Sequence, residues 1–380
     1  MWSQAYRAVC VVALVVLCGG MALPLAAASA GHRTSQAPGP ARTEGRRPSP
    51  AAEPRSPATG SPAPSGNPSS DGRDDPPSAA RLRHLRANEL GVVPVVMYHR
   101  IVTKRRQALD RTPRQLRADL DRMVREDYVP VTAAEFVSGR IDIPAGTHPV
   151  VLSFDDSTPS QLAFDAHGRP RPDTAVGVLL AEARRHPAFR PVATFYVISS
   201  APFQEGGADL TAHGRHALRW LVRHGFDVGN HTVHHRYFRH VPRHEELAEI
   251  GGAQRRITAL AGVEPATLAY PGGFPPKPLG LAGHGTYRGT PYRLDGAFLA
   301  GARPSPSPFT RDFPRYEIPR IRGQDHGKDC DGMCLGSWLK RLDKKHSNRY
   351  TSDGDPAHIS YPRRSKVTIA KRFRPRARQY

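Results

Sequence analysis

Cysteine is scarce in this chain, acidic residues are outnumbered, and one long stretch has no large apolar residue at all. Four cysteines occur in 380 residues, and two of them, Cys10 and Cys18, fall in the apolar N-terminal segment, which excludes a dense disulfide scaffold. The other two, Cys330 and Cys334 in CDGMC, have no partner pair nearby to complete a zinc knuckle. They suit a small disulfide in an oxidising compartment, with two unrelated free thiols as the alternative. From Gly31 to Ala80 there are 11 prolines and not one Val, Ile, Leu, Met, Phe, Tyr or Trp. Such a segment cannot bury enough apolar surface to offset the entropy of ordering it. Residues 31–85 are therefore expected to form a disordered Pro/Ser/Gly/Ala-rich linker or stalk, with folded structure starting near Leu82 to Gly91.

Acids are short by comparison with bases, 34 Asp and Glu against 55 Lys and Arg, a formal charge of +21. The linker is nearly balanced, so the excess lies in the body and in residues 363–380, where eight Lys or Arg meet no acid. That tail is expected to be a solvated, mobile end, or else a contact for an anionic wall polymer or membrane surface. Long uncharged runs are absent except at the start, where Arg7 precedes 23 uncharged residues from Ala8 to Ala30 that close on small side chains. Residues 1–30 read as a signal peptide cleaved near Ala30. An uncleaved membrane anchor is the alternative, and the bulky Leu17 before Cys18 argues against a lipoprotein. The body is thus expected to be secreted or held at the cell surface, where nucleic acid is not an expected partner.

What is present beyond residue 86 alternates apolar strand-like runs with amphipathic helical ones. GVVPVVMYHRI from Gly91, VPVT from Val129, HPVVLSFDD from His148, VATFYVI from Val192, DVGNHT from Asp227 and TLAYPGG from Thr267 read as strands. Between them, TPRQLRADLDRMVRED, TAAEFVSG, DTAVGVLLAEARRHP with Asp173 as N-cap, HALRWLVRHGF and PRHEELAEIGGAQRRITALAG read as helices. The pattern predicts βα units with a mainly parallel sheet, whose strands, buried on both faces, are continuously apolar. After Pro275 the signal thins, with YRLDGAFLAG and YEIPRIR reading as strands and MCLGSWLKRLDKK as a last helix. Reactive groups in this architecture gather at the carboxyl ends of strands, and Asp155-Asp156, His231 and Tyr270-Pro271 all fall there.

Adjacent carboxylates ending an apolar strand pose an electrostatic question, because each disfavours ionisation of the other. On extended chain they point to opposite sides, so they do different work. A divalent cation favours both ionised forms, and GNHTVHH supplies imidazoles for it at His231, His234 and His235. Two imidazoles and a carboxylate leave positions open for water and substrate, the mark of a catalytic site. A two-metal phosphatase is disfavoured, since bridging carboxylates are lacking.

SFDDS with HTVHH, VPVVMYHRI upstream and LAYPGG downstream resemble the polysaccharide deacetylase family, the NodB-type carbohydrate esterases, over residues 92 to 275. The resemblance implies a distorted (β/α) barrel of about seven parallel strands, expected to span residues 86–362. It implies a metal-dependent hydrolase of carbon-nitrogen bonds that removes N-acetyl groups from amino sugars of a cell-wall or extracellular polysaccharide. Carried over by position, Asp155 is the catalytic base, Asp156, His231 and His235 hold one divalent metal, zinc first with cobalt, manganese or nickel as alternatives, and His234 falls at a variable position. Water activated by the metal attacks the acetyl carbonyl while Asp155 takes its proton, and the N–H of Tyr270 is the candidate oxyanion donor. Ser157 departs from the family's usual Gly, and no general-acid His is evident: His284, His326 and His358 sit at no convincing apolar strand end. A glycan-binding barrel with weak or no catalysis, or a hydrolase of another ester or amide, are the alternatives.

Overall fold

The strand that ends on the paired carboxylates is an interior strand of the main sheet, paired on both edges. The computed structural model describes residues 77–204, 210–324, 330 and 332–380. The expected signal peptide and the linker up to residue 76 lie outside the described residues. In chain order the elements are α1 (Ala79–Leu85), β1 (Val95–Tyr98), α2 (Pro113–Arg125), β2 (Tyr128–Val131), α3 (Ala133–Ser138), β3 (His148–Phe154), α4 (Ala175–Arg185), β4 (Thr194–Val197), α5 (Leu210–Arg223), β5 (Asp227–Asn230), α6 (Arg243–Ala261) and β6 (Thr267–Ala269). They are followed by β7 (His284–Tyr287), β8 (Thr290–Arg293), β9 (Gly296–Phe298), β10 (Ile321–Arg322), α7 (Leu335–Lys344), β11 (Ile359–Tyr361) and β12 (Ala377–Gln379).

The main sheet is parallel throughout, in the order β10-β1-β3-β4-β5-β6-β9. On the edge of β3 away from β1, β2 pairs with His148–Val151 and β4 then takes over at Ser153 and Phe154. The run 318–322 joins the two ends of the sheet: Ile318 bridges Phe298 of β9, and three residues later Ile321 pairs with Val96 of β1. The expected distorted barrel is thus observed, and residues after Pro275 complete it. They also add the antiparallel β7-β8 hairpin beside it.

Strand alternation divides the interior. Val96, Tyr98, Val150, Leu152, Phe154, Phe195 and Val197 belong to the cluster shared with helices α2, α4 and α5, while the intervening Val95, Val151 and Tyr196 belong to a second cluster, as the period of two requires. Helix ends follow their sequence signals. Thr112 and Gln115 form a capping box at α2, and Thr132 and Glu135 form one at α3, each satisfying otherwise unpaired amides. At α4 the cap is Thr174, one residue after the expected Asp173. The glycine pair in α6 has a packing cause: a Cβ at Gly251 would lie 2.4 Å from Tyr287 Cβ of the hairpin.

Two expected boundaries are corrected. Helix α1 starts at Ala79, capped by Ser78 and burying Leu82, so ordered chain begins inside the segment that composition assigned to the linker. The basic segment 363–380 is not a free tail. Its β12 pairs in parallel with β11, the Tyr380 hydroxyl donates to the Ala87 carbonyl at 2.6 Å, and Ile369 and Phe373 sit in the second cluster with Val95, Val151 and Phe309. Two apolar anchors outweighed the reading of its charge: Arg363, Arg364, Lys366, Lys371, Arg372 and Arg374 are exposed while Ile369 and Phe373 face in, and Arg376 lays its guanidinium over the Phe309 and Phe373 rings. Deleting 363–380 is therefore expected to abolish folding, and Phe373→Ala to cost about 3–5 kcal/mol, measured by urea denaturation. Unchanged stability on deletion would restore the free-tail picture. Cys330 and Cys334 are joined by a disulfide. Among the described residues no helix is long and apolar enough to cross a membrane.

Candidate active site

At the carboxyl end of β3 the alternation that places Val151 and Ser153 toward the barrel interior continues to Asp155. This carboxylate is buried and receives both arms of a buried guanidinium: Arg320 donates from Nη1 to Oδ1 and from Nη2 to Oδ2, each at 2.7 Å. The remaining Arg320 donors go to Leu299 O at 2.6 Å from Nε and to Ser153 Oγ at 3.2 Å. Burial alone would raise the Asp155 pKa, but the Arg320 charge, followed by that of His231, holds it below the ordinary value. Asp155 is thus an ionised, rigidly oriented carboxylate.

The chain turns immediately after it. Asp156 and Ser157 have φ of 78° and 46°, a left-handed conformation that costs a non-glycine residue free energy and marks sites where geometry is imposed by the surroundings. The positive φ at Ser157 explains why glycine suits this position. Here the Ser157 Oγ accepts the Ile198 amide at 3.2 Å and its carbonyl accepts that of Phe203 at 2.8 Å, which hold the turn. The turn aims Asp156 away from Arg320 and toward the histidines.

Those histidines are presented by a second strained turn at the end of β5. Asn230 Oδ1 accepts the Thr232 amide at 2.8 Å, and Thr232 Oγ1 accepts that of His235 at 3.0 Å, with φ of 68° at Thr232 and 59° at His235. His231 Nδ1 donates to the Ala269 carbonyl at 2.8 Å, which leaves Nε2 facing the site; burial alone would lower the pKa of this imidazole, but Asp156 and then Asp155 raise it above the ordinary value. The Nε2 atoms of His231 and His235 each lie 3.3 Å from Asp156 Oδ1. The three prospective ligand atoms lie within 4.8 Å of one another. Asp156 Oδ1 is buried with no hydrogen-bond partner, and burial lowers the pKa of His235 to about 4, with the His231 charge adding to the effect. A buried carboxylate oxygen without a hydrogen-bond partner, facing two imidazole Nε2 atoms, fits a divalent cation. His234 turns away: its ring and its amide both engage Glu249 of α6, each at 2.8 Å.

One expected role does not hold. The amide of Tyr270 donates to the Phe298 carbonyl at 3.0 Å within the β6–β9 pairing, and its hydroxyl donates to Tyr316 O at 2.7 Å. Tyr270 therefore has no free N–H to offer an oxyanion. Two residues were missed. Arg320 lay in YEIPRIR, read only as a strand, although a charge between apolar strand positions requires a buried partner. His99 ends β1, and among the strand ends it was passed over. Its Nδ1 is buried without a partner. Burial lowers its pKa, while Asp155 and then Asp156 pull it back upward. Gln161 ties the two strand ends together, its amide donating to the carbonyls of His99 and Asp155.

A family model described as polysaccharide deacetylase matches residues 143–282, the stretch from the start of the β3 region to just before β7. Among solved structures, a putative polysaccharide deacetylase from Bacillus anthracis aligns at 18% identity over 61% of this chain and 64% of that one, with a TM-score of 0.45. The deacetylase PplD from Streptococcus pyogenes, solved with acetate, aligns at 18% identity over 61% and 92% of the two chains with a TM-score of 0.46. IcaB from Ammonifex degensii gives 18%, 63%, 93% and 0.42 for the same measures. This chain therefore spans under two thirds of the Bacillus anthracis protein. A search of curated proteins gave no match.

Proposed function

We propose, from the match of residues 143–282 to the polysaccharide deacetylase model and from the site described above, that this chain is a hydrolase of that family and removes N-acetyl groups from amino sugars of a cell-wall or extracellular polysaccharide. The observation that carries the proposal is the division of the carboxylate pair, Asp156 toward His231 and His235, Asp155 into the fork of Arg320. The apolar, uncharged leader supports action outside the cytoplasm, where such polymers occur.

Asp156, His231 and His235 would hold one divalent cation, zinc by donor type, with cobalt, manganese or nickel as alternatives. When bound, such an ion supplies Lewis-acid polarisation of a carbonyl and acidifies water. Asp155 keeps lone pairs on both oxygens beyond those used by Arg320, so it can take the proton of the attacking water. Arg320 keeps that carboxylate ionised and fixes its orientation. His99, whose buried Nδ1 has no partner and which lies within electrostatic reach of both carboxylates, would receive the proton that Asp155 takes from water and pass it to the departing amine. The glycan-binding alternative without catalysis rested on a missing acid and a free basic tail; the packed segment 363–380 removes the second motive, and the first turns on the proposed role of His99.

Acetate release from N-acetylglucosamine oligomers tests the proposal. Release by the wild-type chain should stop with chelator and return with added divalent metal, and His231→Ala or His235→Ala should lose the single bound metal by elemental analysis. No release under any metal would overturn it. His99→Gln should retain metal and thermal stability while kcat falls about 10²–10⁴-fold, the usual range for removing a proton-transfer group. An unchanged kcat would exclude His99 from the reaction.

A further inference from the structure

Beyond His235 a strip of rings continues outward that the chemistry above does not use. The rings of His231 and His235 are 4.8 Å apart, those of His235 and Tyr237 5.7 Å, and those of Tyr237 and Phe274 5.8 Å. The Arg239 guanidinium carbon then lies 3.9 Å above the Phe274 centroid. A run of aromatics usually belongs to a core, and the neighbouring Phe238 does: it is buried and packs edge-on against Tyr270. Tyr237 takes the opposite side and is 40% exposed. The two outer rings come from separate segments, and Gly272 lets them meet. Its φ is 63°, and a Cβ there would lie 3.0 Å from Phe274 Cε2 and 3.2 Å from Tyr237 Cε1.

Charge around the strip is unbalanced in a specific way. Arg236 is paired with Glu245. Arg239 donates from Nε to His240 Nε2 at 2.9 Å, and among the described residues no carboxylate pairs with it, so its terminal nitrogens remain available. An exposed ring packed edge to face with a prospective metal ligand, in a strip that ends in an unneutralised guanidinium, is suited to a flat ligand with an apolar face and an anionic edge.

We propose that Tyr237, Phe274 and Arg239 form a binding subsite for the sugar unit next to the one being deacetylated, and that this unit carries an anionic substituent, a carboxylate or a phosphate. The apolar C–H face of the pyranose stacks on Tyr237, which Phe274 backs. Arg239, stacked on Phe274, reaches the anion through its free nitrogens. This subsite rests on the deacetylase reading of the adjacent metal site, and it makes the preferred substrate an acidic glycan rather than a neutral one.

The test uses the full chain and four probes: N-acetylglucosamine itself, its neutral tetramer, and tetramers bearing a carboxylate or a phosphate on the ring next to the reacting unit. Kinetics are measured on the wild type, and dissociation constants by calorimetry in an Asp155→Asn background that binds without turnover. Tyr237→Ala should raise KM and the dissociation constant about tenfold for every tetramer, leave the monosaccharide and kcat unchanged, and be rescued by Tyr237→Phe. Arg239→Ala should weaken only the charged tetramers by a similar factor, and the stronger of the two identifies the anion. Metal content and melting temperature of both variants should match the wild type. If the wild type deacetylates tetramers and both variants do so with unchanged KM, the subsite is wrong while the function stands. If tetramers bind in a Tyr237-dependent way without acetate release, the subsite stands and the reaction is wrong. Neither binding nor release would overturn both.

Discussion

Asp155→Asn should lower acetate release by about a thousand-fold, within the range seen when a proton-transfer group is removed, with bound metal unchanged. Geometry separates the two carboxylates of the pair, so their variants should fail differently. Asp155 lies within reach of Arg320 rather than the two imidazoles, and its replacement by the isosteric amide leaves the three prospective ligands in place. Asp156→Asn weakens the one anionic ligand among those three, so it should lose metal first and activity in consequence. Adding excess metal discriminates between them: it should partly restore Asp156→Asn and do nothing for Asp155→Asn. Equal rescue of both, or an Asp155→Asn protein with full kcat, would remove Asp155 from the role of base.

That the two carboxylates diverge was legible from VVLSFDDS because side chains alternate on a strand, whereas the role of each was carried over from the resemblance, and the left-handed turn at Asp156 was not legible. Parity alone sends Asp155 inward with Val151 and Ser153. The histidine turn was legible in part, since spacing brought His231, His234 and His235 forward equally, and the pairing of His234 with Glu249 from α6 depends on a contact 15 residues away. Arg320 was not legible as the partner of Asp155. The two are 165 residues apart, and they meet only because the run 318–322 closes the barrel, a property of the whole sheet rather than of any local pattern. The segment 363–380 failed for the opposite reason. Its charge was counted correctly, but Ile369 and Phe373, two apolar residues in a basic run, decide its place by joining the second buried cluster, where Phe373 packs on Phe309.

The buried ion pair itself is the second strong prediction. Removing one member of such a pair leaves an uncompensated charge and typically costs about 3–5 kcal/mol, so Arg320→Met should lose that much stability at pH 7. The sign of its pH dependence distinguishes the pair from simple packing. In the wild type the folded-state pKa of Asp155 is depressed, so the pair stabilises the fold above the unfolded carboxylate value of about 3.9 and the benefit is lost as pH falls through the lower folded value. Without Arg320 the burial that raises the pKa dominates, and the folded value moves above the unfolded one. The deficit of Arg320→Met should then be largest near neutrality and shrink as the solution is acidified and Asp155 takes up a proton. The acid limb of its residual kcat/KM should move to higher pH in parallel. Combining Arg320→Met with Asp155→Asn removes the buried charge altogether, and the double variant should regain much of the stability that Arg320→Met lost, without regaining activity. A deficit independent of pH, or one that the double variant deepens, would mean that Arg320 supports the barrel through its packing and its bond to Leu299 rather than through Asp155.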